Sequence, residues 1–235
     1  ARRLGRARRS KACTCSCSAN NAVETSEPTG LDTVYADDHL LVFNKPSGLL
    51  SVPGRGDDKQ DCLSTRAQQA YPDALVVHRL DMSTSGLIVM ARGMAMQRIL
   101  NAAFANRAVA KCYTAVVAGQ PSETQGQIDL PILVDWPNRP LRKIDWENGK
   151  PSCTRWRVLG TLDDRTRLEL EPVTGRSHQL RVHLAAIGHP ILGDALYAPL
   201  PVQALASRLL LHASTLALQH PATGAALRWD CAAAF

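Results

Sequence analysis

Short apolar segments, separated by turn-forming residues, constrain the fold of this chain more than any other feature of its sequence. Residues 111–117, 153–159 and 166–171 are rich in β-branched residues or alternate polar with apolar positions, a pattern typical of strands. Residues 94–106 instead repeat apolar side chains at the spacing of an amphipathic helix. Because these segments alternate irregularly, without the strand–helix–strand repeat of a parallel sheet, we predict an α+β fold.

The basic charge of the chain is concentrated at its beginning. The 235 residues include 27 Lys and Arg against 21 Asp and Glu, which gives a net charge of +6. Six of the basic residues lie within residues 1–11, so the remainder holds 21 basic and 21 acidic residues. An anionic partner of the folded part must therefore be bound by a local basic patch rather than by the overall charge.

Residues 1–28 are rich in Arg, Ser, Ala and Cys, contain no acid before Glu24 and lack hydrophobic periodicity. This composition is typical of an organelle transit peptide or its remnant, which predicts a chloroplast or mitochondrial location; without that role we expect a cytoplasmic protein. A basic arm that contacts RNA is the competing interpretation. Order is predicted to begin near Leu31, and since no linker interrupts the rest, residues 29–235 are expected to form one domain.

Several classes of partner and cofactor lack their sequence signals. No apolar run approaches the roughly eighteen residues of a membrane-spanning helix. The seven cysteines are odd in number and lack the paired spacing of a zinc site, and neither Walker nor Rossmann glycine patterns occur. We therefore expect no membrane partner, no metal and no cofactor.

A polar cluster stands between two apolar runs, residues 75–77 and 87–90. His78, Arg79 and Asp81 lie within four positions and are followed by Ser, Thr and Gly, so the pattern predicts a strand, a loop and a strand. Loops held by a rigid scaffold often carry catalytic groups, whereas an isolated Arg-x-Asp is more often a surface ion pair. A catalytic interpretation therefore needs support from the rest of the chain.

A second polar cluster, residues 174–183, accompanies a predicted helix. The helix should extend over residues 177–187, with Ser177 or Thr174 as its N-cap and Gly188 at its end. A Gly-Arg pair before a helix N-terminus favours anion binding, because free backbone N–H groups and the helix dipole attract phosphate. An ordinary solvent-exposed helix start is the alternative.

Two angular relations follow for side chains of this second cluster. His178 and His183 are five residues apart, about 140° around a helix axis, so they do not share a face as a zinc-binding pair would. Arg176 and Arg181 are separated by the same angle, which predicts different partners for the two arginines.

The remaining chemistry rests on a carboxylate, arginines and a tyrosine on adjoining strands. An arginine beside Asp81 would lower the pKa of this carboxyl group, orient it and keep it ionised as a nucleophile. Tyr113 could stack on a planar base or exchange a proton. Further arginines would bind an RNA backbone.

These residues resemble the signature motifs of the RluA family of RNA pseudouridine synthases, in matching order and spacing over residues 31–235. The motifs are Asn-Lys-Pro-Ser-Gly at 44–48, His-Arg-Leu-Asp at 78–81 with Thr-Ser-Gly at 84–86, Lys111-x-Tyr113, Thr-Gly-Arg-x-His-Gln-x-Arg-x-His at 174–183, and Gly-His-Pro-Ile-Leu-Gly-Asp at 188–194. Residues 49–55, 129–132 and 135–140 resemble in particular the compact, dual-specific subgroup, which modifies tRNA anticodon stem-loops and a large-subunit rRNA hairpin loop.

The resemblance implies a single pseudouridine synthase catalytic domain, with a mixed, mostly antiparallel sheet flanked by helices and loops. It implies a monomeric isomerase that flips a uridine out of rRNA, tRNA or both and needs no cofactor. An RNA-binding or RNA-chaperone module of the same fold, without essential chemistry, is the alternative. The presence of Asp81, Tyr113 and Arg181 together favours the enzyme.

The resemblance also assigns expected roles to individual residues. Asp81 is the nucleophile, which attacks the ribose C1′, assists glycal formation or adds to the base at C6; the sequence leaves these open. Tyr113 stacks under the uracil and takes the C5 proton, Arg181 pairs with Asp81, and Arg79 fills the space that the flipped base leaves. The expected RNA-binding residues are His78, Arg79, Arg176, His178, Lys45 and Arg55.

Overall fold

The computed structural model describes residues 30–235, apart from the side chain of Asp58. The predictions for the basic segment 1–28 lie outside the described residues. Regular structure begins with the strand Asp32–Ala36, next to the predicted start at Leu31. Within the described residues no helix is long and apolar enough to cross a membrane.

Apart from a short 3-10 helix at Asp57–Lys59, twelve strands and four α-helices make up the regular structure of residues 30–235. In chain order they are β1 (Asp32–Ala36), β2 (Leu40–Lys45), α1 (Leu63–Ala70), β3 (Ala74–Val76), β4 (Ser85–Arg92), α2 (Gly93–Ala105), β5 (Ala110–Ala118), β6 (Gln125–Asp129), β7 (Ile132–Val134), β8 (Arg142–Ile144), β9 (Cys153–Leu162), β10 (Arg165–Pro172), α3 (Gln179–Ala186), α4 (Leu200–Gln203), β11 (Leu211–Gln219) and β12 (Ala226–Asp230).

One mixed sheet organises the molecule. Its strands follow the order β1-β2-β4-β11-β5-β10-β9-β6, with β12 added beside β11 and β3 beside β4. The pairing of β11 with β4 is parallel, and the other strand pairs of the sheet are antiparallel. The prediction of an α+β fold with a mixed, mostly antiparallel sheet is therefore confirmed.

The parallel contact between β4 and β11 depends on a glycine at the end of the first polar cluster. Gly86 has a φ of 110° and pairs with Ala213, and a Cβ atom at this position would lie 2.3 Å from the Ala213 carbonyl oxygen. No other residue fits such a close backbone approach without displacing a strand. Gly86 thereby sets the position of the loop that precedes it, which carries Asp81.

Strand β2 shows why its sequence is continuously apolar rather than alternating. Leu41 and Phe43 pack on one face of the sheet with Leu63 of α1, and Leu40 and Val42 pack on the other face. Because both faces are covered, each position from Leu40 to Phe43 is buried, and a fully buried side chain of this size contributes about 1.5–3 kcal/mol.

A third group of buried side chains involves β10 and α3. Tyr113 connects it to the group that contains Phe43. Leu168 and Leu170 of β10 pack there against Leu180 and Leu184 of α3. Tyr113 of β5 packs partly against this group and partly against the Phe43 group, so its ring lies where the two halves of the core meet. The boundary between these halves is where the functional residues converge.

The start of α3 corrects one detail of the sequence prediction. The helix begins at Gln179 rather than at residue 177, and its N-cap is His178, which has a left-handed backbone and no side-chain capping bond. Thr174 instead donates its hydroxyl hydrogen to the Gln179 side-chain oxygen, 2.8 Å away, and the Arg176 N–H donates to the same oxygen. The helical angle between Arg176 and Arg181 therefore does not apply, because Arg176 precedes the helix.

A hairpin forms in a proline-rich region that contains Pro131, Pro137 and Pro140. Strands β7 and β8 pair antiparallel, and residues 131–150, which we call the arm, close on themselves through hydrogen bonds between Ile132 and Lys150. The arm follows β6 along the chain.

Candidate active site

Asp81 lies in the loop between β3 and β4, and the Asn-Lys-Pro-Ser-Gly segment supports this loop from below. Ser47 donates its hydroxyl hydrogen to the Ser83 carbonyl oxygen over 2.8 Å, and the Gly48 N–H donates to the Met82 carbonyl oxygen at the same distance. Lys45, Ser47 and Gly48 of the Asn-Lys-Pro-Ser-Gly segment thus all donate hydrogen bonds to the loop that carries Asp81. The two sequence motifs form one structural unit.

Lys45 belongs to this support and not to an RNA-binding surface. Its side chain is fully buried, and its ammonium group donates hydrogen bonds to the carbonyl oxygens of Pro46, Leu49 and Met82. Burial lowers the pKa of Lys45 to about 8, while the charge of Asp81 acts in the opposite direction. This placement contradicts the prediction that Lys45 contacts RNA, because no part of its side chain is exposed.

Arg181 approaches Asp81 as predicted, but its closer partner is Asp194. The Arg181 Nη1 atom is 3.5 Å from the Asp81 Oδ2 atom, whereas Nε and Nη2 donate to the two Asp194 carboxylate oxygens over 2.8 Å and 2.5 Å. Burial disfavours the charge of Arg181, but these hydrogen bonds outweigh it and the pKa is raised. Arg181 is therefore a fixed cation that presents one remaining N–H group to Asp81.

Asp194 is a site residue that the sequence reasoning missed. It is 1% exposed and follows Gly193, whose φ of 72° brings its backbone against the Arg208 carbonyl group. Asp194 lies thirteen residues from Arg181 along the chain, beyond the range of helical or strand spacing rules. The sequence signal that could have identified Asp194 is the Gly-Asp pair at the end of the motif at 188–194.

His178 occupies the other side of Asp81. Its Nε2 atom is 3.8 Å from the Asp81 Oδ2 atom, and its Nδ1 atom is 2.6 Å from the Tyr197 hydroxyl oxygen. Burial lowers the pKa of His178, partly offset by the charge of Asp81, so the ring is neutral near pH 7. Tyr197 is a second site residue that the sequence reasoning did not single out. His178, which is predicted to bind RNA, lies in the cleft lining beside Asp81.

Tyr113 borders the same cleft from strand β5. Burial, and in second place the charge of Asp81, raise the pKa of Tyr113 above its usual range. The phenol is therefore neutral near pH 7 and presents a flat, uncharged ring beside the carboxylate. The three residues predicted to be catalytic, Asp81, Tyr113 and Arg181, all line one cleft.

The cleft has a volume of about 880 Å³ and a predominantly basic lining. This size lies within the range of clefts that bind small molecules or single nucleotide-sized groups. Its acidic residues are Asp81 and Glu171, and its basic ones are Arg79, Arg107, Lys111, Arg155, Arg176 and Arg181.

The other predicted RNA-binding residues differ in placement. Arg79 and Arg176 are exposed at the rim of the cleft, as an RNA contact requires. Arg55 is exposed in the loop after β2 and is not part of the cleft lining. The contacts of these three arginines with RNA stay predictions.

His78 also borders the cleft, but its ring is packed into the wall. Its Nε2 atom accepts the Val89 N–H over 3.0 Å, and its ring stacks on Phe104 with centroids 4.5 Å apart. Burial, and in second place the charge of Lys111, lower the pKa of His78 to about 3. The ring is therefore neutral and carries its hydrogen on Nδ1, which leaves one polar atom for an RNA contact.

Among residues 30–235, no three or more His, Cys, Asp or Glu side chains come together in a way that could hold a metal ion. The cysteines in this range are free, and Cys62 accepts the Thr65 N–H as the N-cap of α1.

Comparison with solved structures defines the class of protein. The human RNA pseudouridylate synthase domain-containing protein 1 superposes with a TM-score of 0.74 at 29% identity and covers 89% of this chain and 86% of its own. The human domain-containing protein 4 gives a TM-score of 0.70 at 28% identity, covering 86% of this chain and 88% of its own. The fold is that of a pseudouridine synthase.

Sequence comparison places the chain within a family. The family model of RNA pseudouridylate synthases matches residues 39–186. The dual-specificity RNA pseudouridine synthase RluA of Escherichia coli K12 is 52% identical over 203 residues, which are 86% of this chain and 93% of the relative. The protein of that name from Yersinia pestis is 50% identical over 86% of this chain and 98% of its own length. The chain belongs to the RNA pseudouridylate synthase family and is an isomerase.

Proposed function

We propose that this enzyme converts uridine to pseudouridine in structured rRNA and tRNA, with Asp81 as the nucleophile. The observation that carries the proposal is the Asp81 carboxylate at the floor of a basic cleft, next to the fixed guanidinium group of Arg181. The choice of substrates is supported by the relatives named dual-specificity synthases, which are half identical over most of the chain.

The reaction is an isomerisation in which the N1–C1′ bond of uridine breaks and a C5–C1′ bond forms after the uracil has turned. The C5 proton leaves and N1 gains a proton, so atoms and charge balance without an oxidant or reductant. Asp81 attacks C1′, assists glycal formation or adds to C6. Each route uses the Asp81 carboxylate, which pairs with the Arg181 Nη1 atom over 3.5 Å.

Tyr113 is assigned the role of a stacking platform below the uracil. Its raised pKa keeps the phenol neutral, which favours stacking over general-base chemistry at the start of the reaction. Because Tyr113 is anchored in the middle of β5 and packed on two core groups, its ring orientation is fixed before RNA binds.

Base flipping is supported by the position of Asp81 in the cleft. Its side chain is 29% exposed and shares the cleft lining with Arg79 and Arg176, so we expect a uracil to leave its stack in RNA in order to contact the carboxylate. Extrusion of a base costs a few kcal/mol and least in a loop. We assign Arg79 to the space that the flipped base leaves, because its side chain is exposed and it lies two residues before Asp81 in the sequence.

The arm offers a second RNA-binding surface. Its side chains Trp136 and Trp146 are 64% and 75% exposed, and the Arg139 guanidinium group lies 4.5 Å from the centre of the Trp136 ring. Exposed aromatic rings with adjacent cations stack on unpaired bases and attract phosphate. We expect Trp146→Ala to raise KM for structured RNA with little change in kcat.

The reaction is tested by incubating purified protein with an anticodon stem-loop transcript and a large-subunit rRNA hairpin transcript and mapping pseudouridine by mass spectrometry. We expect one modified uridine in each transcript. Tight binding of both RNAs without pseudouridine would instead support the RNA-chaperone alternative. Modification of one transcript alone would contradict dual specificity but not the isomerase reaction.

We propose in addition that residues 1–28 direct the protein to a chloroplast or mitochondrion. Their basic, acid-poor composition supports this role. Fusion of residues 1–28 to a fluorescent protein should send it to one of these organelles. A fusion that stays in the cytoplasm, together with loss of RNA affinity on deletion of the segment, would support the RNA-arm interpretation.

We also propose that the enzyme acts as a monomer, because the cleft and its predicted catalytic residues are complete within one chain. Light scattering during gel filtration should give a mass near 25.5 kDa. A mass twice as large at working concentrations would contradict this proposal.

A further inference from the structure

The backbone of His178 takes a left-handed conformation at the edge of the active site. Its φ of 58° and ψ of 12° lie in a region that is uncommon outside glycine and in which His, Asn and Asp are enriched. The residue makes no side-chain capping bond to the helix that follows. Its imidazole ring instead lies between Tyr197 and Asp81.

The hydrogen bonds of Tyr197 determine which nitrogen of this ring carries the hydrogen. The Tyr197 hydroxyl oxygen accepts the Arg142 backbone N–H over 2.9 Å, and it lies 2.6 Å from His178 Nδ1. Burial raises the pKa of Tyr197, so its hydroxyl hydrogen is retained. Among the described residues the hydroxyl contacts only these two groups, and Nδ1 is the one that can accept its hydrogen. With the hydroxyl as donor, the neutral His178 ring carries its own hydrogen on Nε2. That hydrogen faces the Asp81 Oδ2 atom.

The position of Tyr197 is fixed by the same residues that fix Arg181. The Asp194 Oδ1 atom, which accepts from Arg181, also accepts the Tyr197 backbone N–H over 3.2 Å. The Arg181 guanidinium group lies 5.1 Å from the centre of the Tyr197 ring. The phenol ring is thus held by packing and by its backbone, while its hydroxyl group contacts only His178 and Arg142 within the described residues.

We propose that Tyr197 and His178 are positioning residues that orient the Asp81 carboxylate through the Nε2 hydrogen of His178, with the arm as the anchor of the Tyr197 hydroxyl. This proposal deepens the proposed function and rests on Asp81 as the reacting group. The Arg181 Nη1 atom lies 3.5 Å and the His178 Nε2 atom 3.8 Å from the same Oδ2 atom, so two groups at the start of α3 face one oxygen of the carboxylate, and Oδ1 is assigned as the reacting oxygen.

The surroundings of His178 suit a neutral donor. Asp81 and Asp194 favour a charged imidazole, whereas Arg181, Arg142 and burial oppose it, and the net effect lowers the pKa. A neutral ring with its hydrogen on Nε2 presents an N–H group towards the Asp81 Oδ2 atom, 3.8 Å away, without adding a positive charge beside the nucleophile. A protonated ring would lose the bond from the Tyr197 hydroxyl, because Nδ1 would no longer accept.

The variant Tyr197→Phe removes the hydroxyl group and keeps the ring that packs on Arg181. We expect kcat in the pseudouridine assay to fall by about 3- to 10-fold, the effect of one net hydrogen bond, with KM for RNA unchanged. The matched control is Tyr35→Phe, which removes a phenol that donates to the Asp37 carboxylate over 2.7 Å far along the chain from the cleft residues. It should lower stability without changing kcat.

The variant His178→Asn places an amide near the former Nδ1 atom, tolerates the left-handed backbone and no longer reaches Asp81. If the two residues act as one chain, the double variant with Tyr197→Phe will be no slower than His178→Asn alone. Multiplicative losses in the double variant, or full kcat in Tyr197→Phe, would overturn the proposal.

Nitrogen-15 NMR of the His178 ring supplies a readout that does not depend on catalysis. In the wild type we expect a protonated Nε2 and an unprotonated Nδ1, and in Tyr197→Phe a mixture of both tautomers. A wild-type His178 ring protonated on Nδ1 would overturn the proposal that Tyr197 and His178 orient Asp81, at any level of pseudouridine formation. Absence of pseudouridine with the expected wild-type tautomer would instead count against the proposed function, so the two failures are distinguishable.

Discussion

The floor and the rim of the cleft both carry arginines, but their surroundings are opposite. At the floor, Arg181 is 4% exposed and lies between the carboxylates of Asp194 and Asp81. At the rim, Arg79 and Arg176 are exposed to solvent. A buried cation with paired carboxylates fixes geometry, whereas an exposed cation exchanges water and salt ions for phosphate with little effect on the fold.

This difference separates two tasks that the sequence places side by side. Arg79 and Asp81 are two residues apart, yet Asp81 faces the buried Arg181 while Arg79 belongs to the exposed surface. We therefore expect the floor to determine the rate of the chemical step and the rim to determine affinity for RNA. The predictions below compare a floor residue with a matched exposed residue, from the largest expected effect to the smallest.

Substitution of Arg181 by Leu should reduce the free energy of unfolding by about 3–5 kcal/mol, because it leaves Asp194 buried without its partner. Urea denaturation at pH 7 measures the change. The control is Arg157→Leu, which breaks an ion pair of 2.8 Å with Glu169 whose two side chains are 58% and 37% exposed. The control should cost less than about 1 kcal/mol. Equal losses in both variants would contradict the distinction between floor and surface.

Substitution of Gly86 by Ala should destabilise the protein by about 2–4 kcal/mol, because its φ is positive and the new methyl group would strike the Ala213 carbonyl group. The rim offers a control in Gly175→Ala, where a Cβ atom meets nothing within 4 Å. That change should stay within about 0.5 kcal/mol. Thermal unfolding followed by circular dichroism tests the pair, and a tolerated Gly86→Ala would contradict the close strand contact below Asp81.

Stability should fall as the pH is lowered from about 6.5 towards 3, because the unfolded state binds a proton at His78 that the folded state, with a pKa of about 3, does not. The slope from this residue is at most about 1.4 kcal/mol per pH unit. His78→Gln keeps an acceptor for the Val89 N–H and does not titrate, so its pH dependence should be shallower. Identical slopes for variant and wild type would show that His78 is free to take a proton, as a rim residue would be.

Substitution of Arg79 or Arg176 by Gln should raise KM for RNA by about two- to fivefold and leave the unfolding free energy unchanged. Each loss of a phosphate contact should also lower the slope of log affinity against log salt concentration by about 0.7–0.9. Arg55→Gln, outside the cleft lining, is the comparison. If Arg55→Gln weakens binding as strongly as the rim variants, the RNA-binding surface extends beyond the cleft.

Local periodicity was sufficient to predict most elements of the fold. The helix α2 and the strands β5, β9 and β10 appear at the expected positions because their patterns follow from contacts within the segment. The start of α3 was wrong by two residues, since the Gln179 side chain bonds the preceding turn and His178 takes a left-handed conformation. Sequence spacing does not show which of several polar residues turns inward.

The family resemblance brought Asp81, Tyr113 and Arg181 together correctly, although they are far apart in sequence. It did not reveal the burial of Lys45, because a lysine after an apolar strand is usually exposed and only the loop carbonyls around it explain its position. Asp194 was missed for a related reason. Its role depends on a long-range ion pair that has no periodic signal in the chain.

The most direct test of this account is a single-turnover measurement of pseudouridine formation by Asp81→Asn with saturating stem-loop RNA. The substitution keeps the size of the side chain and removes its charge, while the rim arginines remain. We predict that product formation is abolished and that RNA affinity stays within about threefold of wild type. Product formation at the wild-type rate would contradict the assignment of Asp81 as the reacting group at the floor of the cleft.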